Sequence, residues 1–162
     1  MRRWPPLVTA PVVGNSGTEV EPNFYYRLTN AFLGEAFSLD TCSDGKNDPF
    51  MGETANHSGQ AWKFTFHDGC YRMTNAFLGD GRSLDTYSDG KNDPFIGQTG
   101  NYSGQCWYLT ALPGGYFRLT NAFLGASRAL DTYSSSGHEP FMGQAGNYSG
   151  QFWKLTKLRP VQ

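Results

Sequence analysis

Three pairs of residues in this chain could do chemistry, and they recur in phase. Asp40 stands ten residues before Phe50, Asp85 ten before Phe95, and Asp131 ten before Phe141. Each aspartate follows a leucine (Leu39, Leu84, Leu130), and each phenylalanine precedes a large aliphatic residue (Met51, Ile96, Met142). On a strand, neighbouring side chains point to opposite faces. If the aliphatic residues face a core, the carboxylate and the ring face outward, and they meet if the two strands pair. A carboxylate accepts hydroxyl hydrogen bonds, and charge-assisted bonds are the stronger kind. An aromatic ring stacks on the C–H face of a pyranose. The pair therefore suits sugar recognition. It also suits a structural role, in which the aspartate bonds turn amides and the ring packs on a loop. Threefold recurrence alone does not choose between the two.

The pairs sit inside a repeat. Its closing phrase reads Ser58-Gly59-Gln60-Ala61-Trp62, then Ser103-Gly104-Gln105-Cys106-Trp107, then Ser149-Gly150-Gln151-Phe152-Trp153, at spacings of 45 and 46 residues. The opening phrase begins at Arg27-Leu28-Thr29-Asn30-Ala31-Phe32-Leu33-Gly34 and returns twice in the same order. The repeats cover 24–67, 68–112 and 113–158, after an extension at 1–23 and before a tail at 159–162. The extension is rich in Pro and Gly and reads as flexible.

Period-two alternation bounded by Gly, Asn, Asp and Ser clusters is the strand signal. In the first repeat it predicts strands at Tyr25–Asn30, Phe37–Cys42, Pro49–Thr54 and Gln60–Phe66. Trp62, Phe64 and Phe66 share one face of the fourth, so the tryptophans are expected in the core. Four strands in each of three repeats give an all-β domain. Three copies are few for a propeller and suit a threefold closed barrel capped by hairpins, which also removes exposed sheet edges.

The Gln-x-Trp phrase ending three such repeats, each preceded by Leu-Asp at a fixed distance, resembles the ricin B-type lectins, the carbohydrate-binding β-trefoils. The resemblance covers about 135 of the 162 residues. It implies a β-trefoil of three four-stranded repeats with pseudo-threefold symmetry. It also implies a non-catalytic lectin with up to three sugar sites, favouring galactose or N-acetylgalactosamine on glycan partners. Carried over by position, the aspartates supply the carboxylates (Asp40, Asp85, Asp131) and the phenylalanines the stacking rings (Phe50, Phe95, Phe141). Gln60, Gln105 and Gln151 are expected at strand starts, bonding backbone and contributing to the pocket floor. Relatives commonly carry Asn directly before this Gln, where Gly59, Gly104 and Gly150 stand here. Asn56, Asn101 and Asn147 are the nearest substitutes. His57, Tyr102, Tyr148, Asp48 and Asp93 are candidates for the pocket rim. The third repeat carries Glu139 in place of the rim aspartate, so it is the one expected to differ.

Composition sets the outer bounds. The net charge is −1, which argues against a basic nucleic-acid binder with its positive stripe. No run of 18 apolar residues offers a helical membrane span. Arg2-Arg3 and the following apolar stretch outline a signal peptide, but Pro5, Pro6 and Pro11 interrupt it. Cytoplasmic and secreted settings both stay open. The three cysteines occupy non-equivalent repeat positions and read as small packing residues, with one disulfide left open. The histidines are not equivalent either, and no His or Cys cluster suggests a metal or cofactor. Asp44 to Asp48 resembles a calcium loop only superficially, because Lys46 would repel the ion. The rival readings are a protein-interaction β-trefoil and a symmetric scaffold with no ligand. Residues 43–50 and 88–95 are identical, as a duplicated or designed repeat would be.

Overall fold

The computed structural model describes residues 20–42, 48–87, 93–135 and 137–161. Most of the N-terminal extension and the acidic turns at 43–47 and 88–92 lie outside these residues. The described chain forms twelve strands. In the first repeat they are β1 (Phe24–Asn30), β2 (Phe37–Thr41), β3 (Pro49–Glu53) and β4 (Trp62–His67). The second has β5 (Cys70–Asn75), β6 (Arg82–Thr86), β7 (Pro94–Gln98) and β8 (Trp107–Leu112). The third has β9 (Tyr116–Asn121), β10 (Arg128–Thr132), β11 (Pro140–Gln144) and β12 (Trp153–Pro160).

Two strands of each repeat build a closed barrel in the order β1-β12-β9-β8-β5-β4. The other two form a separate hairpin: β2 with β3, β6 with β7, β10 with β11. A six-stranded barrel carrying three hairpins is the β-trefoil expected from the repeat. β1 pairs with β12, so the first and third repeats close the ring. β12 runs to Pro160, which partners Phe24, so the strand extends into the segment read as tail.

The local sequence explains the corners. Asp68 and Gly69 join β4 to β5 with φ of 54° and 84°. Two positive φ values form the tight turn whose twist matches a hairpin. In the opening phrase, Asn30 Oδ1 accepts from the Leu33 amide at 2.9 Å, and the Gly34 amide returns to the Asn30 carbonyl at 2.8 Å. The same turn recurs at Asn75 and Asn121.

Trp62, Trp107 and Trp153 are fully buried on the threefold core, with Leu39, Leu84 and Leu130. Each indole N–H donates to one of these leucine carbonyls at 2.9 Å, so the barrel strand is tied to the hairpin strand that carries the aspartate. Phe66 keeps the parity read from sequence but is exposed. Its strand overshoots the core there, and its ring meets Tyr71 edge-on at 5.1 Å.

Two expectations are corrected. Gln60, Gln105 and Gln151 do not start a strand; each ends a 3-10 turn (58–60, 103–105, 149–151). Ala61, between Gln60 and Trp62, is also buried, so strand parity does not extend back through the phrase. Cys70 and Cys106 are not lone packing residues. They form a disulfide, with Cα atoms 5.3 Å apart. Cysteines at non-equivalent positions still meet, because β5 and β8 pair within one repeat.

Candidate functional site

Each hairpin brings its carboxylate and ring together. Asp40 pairs directly across from Phe50, Asp85 from Phe95, and Asp131 from Phe141. The rings are half-buried, whereas the aspartates are buried, at 7–8% exposure. The sequence suggested an outward, solvated carboxylate. The face is the outer one, but the following 3-10 turn folds back over it.

The carboxylate is held on both oxygens, one by the glutamine of that turn and the other by the amide of the next residue on its own strand. In the second repeat, Gln105 Nε2 donates to Asp85 Oδ2 at 3.0 Å, and the Thr86 amide donates to Asp85 Oδ1 at 2.8 Å. The same pair of bonds holds Asp40 (2.9 and 2.7 Å) and Asp131 (3.0 and 2.8 Å). The glutamines are wholly buried beneath the aspartates. Each also donates to the carbonyl of the last residue of its hairpin's second strand (Glu53, Gln98, Gln144) and accepts an amide from the loop that follows (Ala55, Gly100, Gly146). Each aspartate oxygen has a further lone pair for a ligand hydroxyl. Burial pushes the Asp85 carboxyl above its ordinary value, against the opposing pull of the Gln105 and Thr86 hydrogen bonds.

The glycine before the glutamine has a physical cause. A Cβ on Gly59, Gly104 or Gly150 would lie 2.3, 2.1 and 2.1 Å from an Oδ1 of the neighbouring aspartate. The carboxylate occupies the space that a side chain would need.

The cleft is completed by the next repeat. Asn75 Nδ2 donates to Thr41 Oγ1 and the Gly59 carbonyl, both at 3.3 Å. Asn121 does the same for Thr86 and Gly104, and Asn30 closes the circle on Thr132 and Gly150. The phenylalanine two residues after Asn121, and the one two residues after Asn30, then form the opposite walls of the second and third clefts. A cleft of about 400 Å³ in the second repeat is lined by Asp85, Phe95, Tyr102, Gly104 and Phe123. A cleft of about 410 Å³ in the third is lined by Asp131, Phe141, Asn147, Tyr148 and Phe32. Phe32, Phe77 and Phe123 are exposed at 42–45% despite their size. Sequence reasoning missed them. Their signal was an invariant large ring in a turn that alternation does not require.

Not every candidate joins its cleft. Asn147 lines the Asp131 cleft, but Asn101 lines a neighbouring one beside the disulfide. Asp93 lies with Arg128 and Glu139 in a third cleft, on the hairpin cap. Asn56 and His57 are exposed on the turn above Gly59, and Asp48 is half-buried. Tyr87 and Tyr133 stack on Phe95 and Phe141, at 4.1 and 4.0 Å between centroids. Cys42 stands at that position in the first repeat, so Phe50 has no equivalent tyrosine. Among the described residues, no group of His, Cys, Asp and Glu is placed to hold a metal.

The fold recurs among solved structures. The designed threefold-symmetric protein ThreeFoil superposes with a TM-score of 0.70 at 21% identity, over 83% of this chain and 99% of its own. The Macrolepiota procera ricin B-like lectin, solved in complex with lactose, gives 0.72 at 14% identity, over 86% and 99%. The GlcNAcα1-4Gal-releasing endo-β-galactosidase from Clostridium perfringens gives 0.71 at 19% identity, but over only 32% of its length. The chain thus spans nearly all of the first two and about a third of the last. No protein-family model matches the sequence, and neither does any curated protein. The class defined by the topology is the β-trefoil.

Proposed function

We propose that the chain is a non-catalytic, carbohydrate-binding β-trefoil with one sugar cleft at each junction between consecutive repeats. The observation that carries this is the in-register pairing of a held carboxylate with a half-buried ring, Asp85 across from Phe95, inside a cleft walled by Phe123. A pyranose bound there directs hydroxyls at the carboxylate and places C–H faces against the rings. The preferred terminal sugar is galactose or N-acetylgalactosamine, a reading supported by the sequence resemblance and by the lactose complex of a structural neighbour.

The carboxylates are unsuited to hydrolysis. Glycosidases place two opposed carboxyl groups across the scissile bond. Here each cleft has one aspartate, and a glutamine amide occupies one of its oxygens. Single-site affinity is expected near millimolar, roughly −4 kcal/mol. Three clefts on one rigid body raise avidity for a multivalent glycan by a hundredfold or more, roughly, if they engage together. The test is an NMR titration of the labelled protein with methyl β-galactoside. Shifts at Gly104, Phe123, Gly150 and Phe32 support the reading. A saturating titration that leaves these signals unmoved overturns it.

A further inference from the structure

The second repeat carries another cleft beside the one that holds Asp85. It measures about 460 Å³ and is lined by Arg72, Asn101, Tyr102, Cys70 and Cys106. Tyr102 and Ser103 line both clefts, so the two are contiguous. The Tyr102 ring, 61% exposed, is the ridge between them.

The repeat register explains why this space exists. Counting back from Asn30, Asn75 and Asn121, Cys70 stands where the other repeats have Tyr25 and Tyr116. Cys106 stands where they have Ala61 and Phe152. In the third repeat the rings of Tyr116 and Phe152 meet edge-to-face at 5.6 Å. The second repeat replaces both rings with a compact disulfide. The covalent bond secures the junction while the ring volume is given up to the cleft.

The lining is polar in a particular way. Arg72 Nη2 reaches the Gly100 carbonyl at 3.5 Å, and its buried Nε has no hydrogen-bond partner among the described residues. Arg27 and Arg118 repeat this arrangement, so what sets the second repeat apart is the disulfide beside the arginine. Asn101 offers both a donor and an acceptor. Asp68, paired with His67 at 3.3 Å, offers a further acceptor at the edge. Donors and acceptors of both kinds beside an aromatic ridge suit a neutral, hydroxyl-rich ring. An anion would meet Asp68, and an apolar ligand would strand the guanidinium.

We propose that this cleft is a second sugar subsite, so that the second repeat binds a disaccharide across Tyr102. The terminal unit sits on Asp85 and the next unit against Arg72. The proposal rests on reading the Asp85 cleft as a sugar site.

The test titrates the full-length labelled protein with methyl β-galactoside and with lactose, reading each cleft from its own amide signals. At the second repeat lactose is expected to bind about tenfold tighter than methyl β-galactoside. The Asn101 and Ala122 signals should move with lactose alone. The third-repeat cleft should show no such preference. Replacing the pair with the rings of the third repeat (Cys70→Tyr with Cys106→Phe) should abolish the preference. Arg72→Met, which keeps the stem and leaves the disulfide intact, should abolish it too. Both variants should leave methyl β-galactoside binding unchanged. Equal affinities for the two sugars at the second repeat, or a preference that survives Arg72→Met, overturn this proposal and leave the sugar site standing. No binding of either sugar at Asp85 overturns both.

Discussion

Gln105 Nε2 bridges Asp85 Oδ2 at 3.0 Å and the Gln98 carbonyl at 2.8 Å, while its Oε1 accepts the Gly100 amide at 3.0 Å. One buried amide thus holds the carboxylate, the end of β7 and the loop after it. Gln105→Ala should leave one buried and two part-buried groups short of a partner, costing roughly 3 kcal/mol. Urea unfolding should show a lower midpoint with an unchanged slope. Gln105→Glu should cost more, because a second carboxylate would face Asp85. A midpoint within error of the parent would show that the amide does not secure this corner.

Gly104 is required by close approach and not by an unusual backbone angle. A Cβ would lie 2.1 Å from Asp85 Oδ1. Gly104→Ala should therefore displace the carboxylate and cost about 1–3 kcal/mol through overpacking. Sugar binding should fall at the second repeat and persist at the third. Gly104→Asn should weaken binding as well, because the aspartate already occupies the space its side chain would need. A gain in affinity would contradict the arrangement.

Burial raises the Asp85 carboxyl above its ordinary range, the Gln105 and Thr86 hydrogen bonds opposing it. The sign follows from linkage. A carboxyl with a raised folded value binds its proton more tightly in the fold than in the unfolded chain. Its contribution to stability is fully present below the unfolded value and is lost as pH rises through the folded one. Binding runs the other way, since the charged form is the better acceptor. Methyl β-galactoside affinity at the second repeat should fall, as pH is lowered, earlier than an ordinary aspartate would allow. A carbon-detected titration of Asp85 alongside the affinity profile checks this. A shared midpoint at or below the ordinary value would contradict it.

How much of this was legible follows from what alternation can report. Strand parity located Leu39, Asp40, Phe50 and Met51 on their proper faces, and the hairpin register then placed Asp40 against Phe50. Parity says which face a side chain is on, not what lies above that face. It therefore missed the 3-10 turn that packs Gln60 and Gly59 against Asp40 and buries it. It also missed Phe123 and Phe32, because the wall of one cleft comes from the opening turn of the next repeat. Such a contact depends on how the ring of repeats closes, which no single repeat encodes. The disulfide was hidden for a related reason. Cys70 and Cys106 break the repeat, so comparing repeats set them aside, while the β5–β8 pairing brought them together.

The Cys70–Cys106 bond closes a loop with a sequence separation of 36. The chain-entropy model assigns such a loop about 4 kcal/mol. Reduction, or Cys70→Ser with Cys106→Ser, should lower unfolding stability by an amount of that order or somewhat less. Sugar binding at the third repeat, remote from the bond, should persist in the folded variant. Equal stability with and without reductant would show that the bond does not staple the barrel.

The sharpest prediction concerns sites built across repeats. Phe32 belongs to the first repeat but lines the cleft of Asp131 and Phe141 in the third. Asn30, two residues earlier, is anchored on Thr132 and the Gly150 carbonyl, so the ring is held there by the closure of the barrel. Phe32 is exposed, so truncating it removes ligand contact with little loss of core. Phe32→Ala should leave stability within about 0.5 kcal/mol. It should weaken methyl β-galactoside binding about five- to tenfold, as loss of one stacking wall implies. The loss should appear at the Gly150 and Phe141 signals of the third repeat, with binding at the second repeat unchanged. Phe123→Ala should mirror it, weakening the Asp85 cleft while sparing the Asp131 cleft. If Phe32→Ala instead weakens binding beside Asp40, each cleft is built within one repeat, and the junction sites proposed here are wrong.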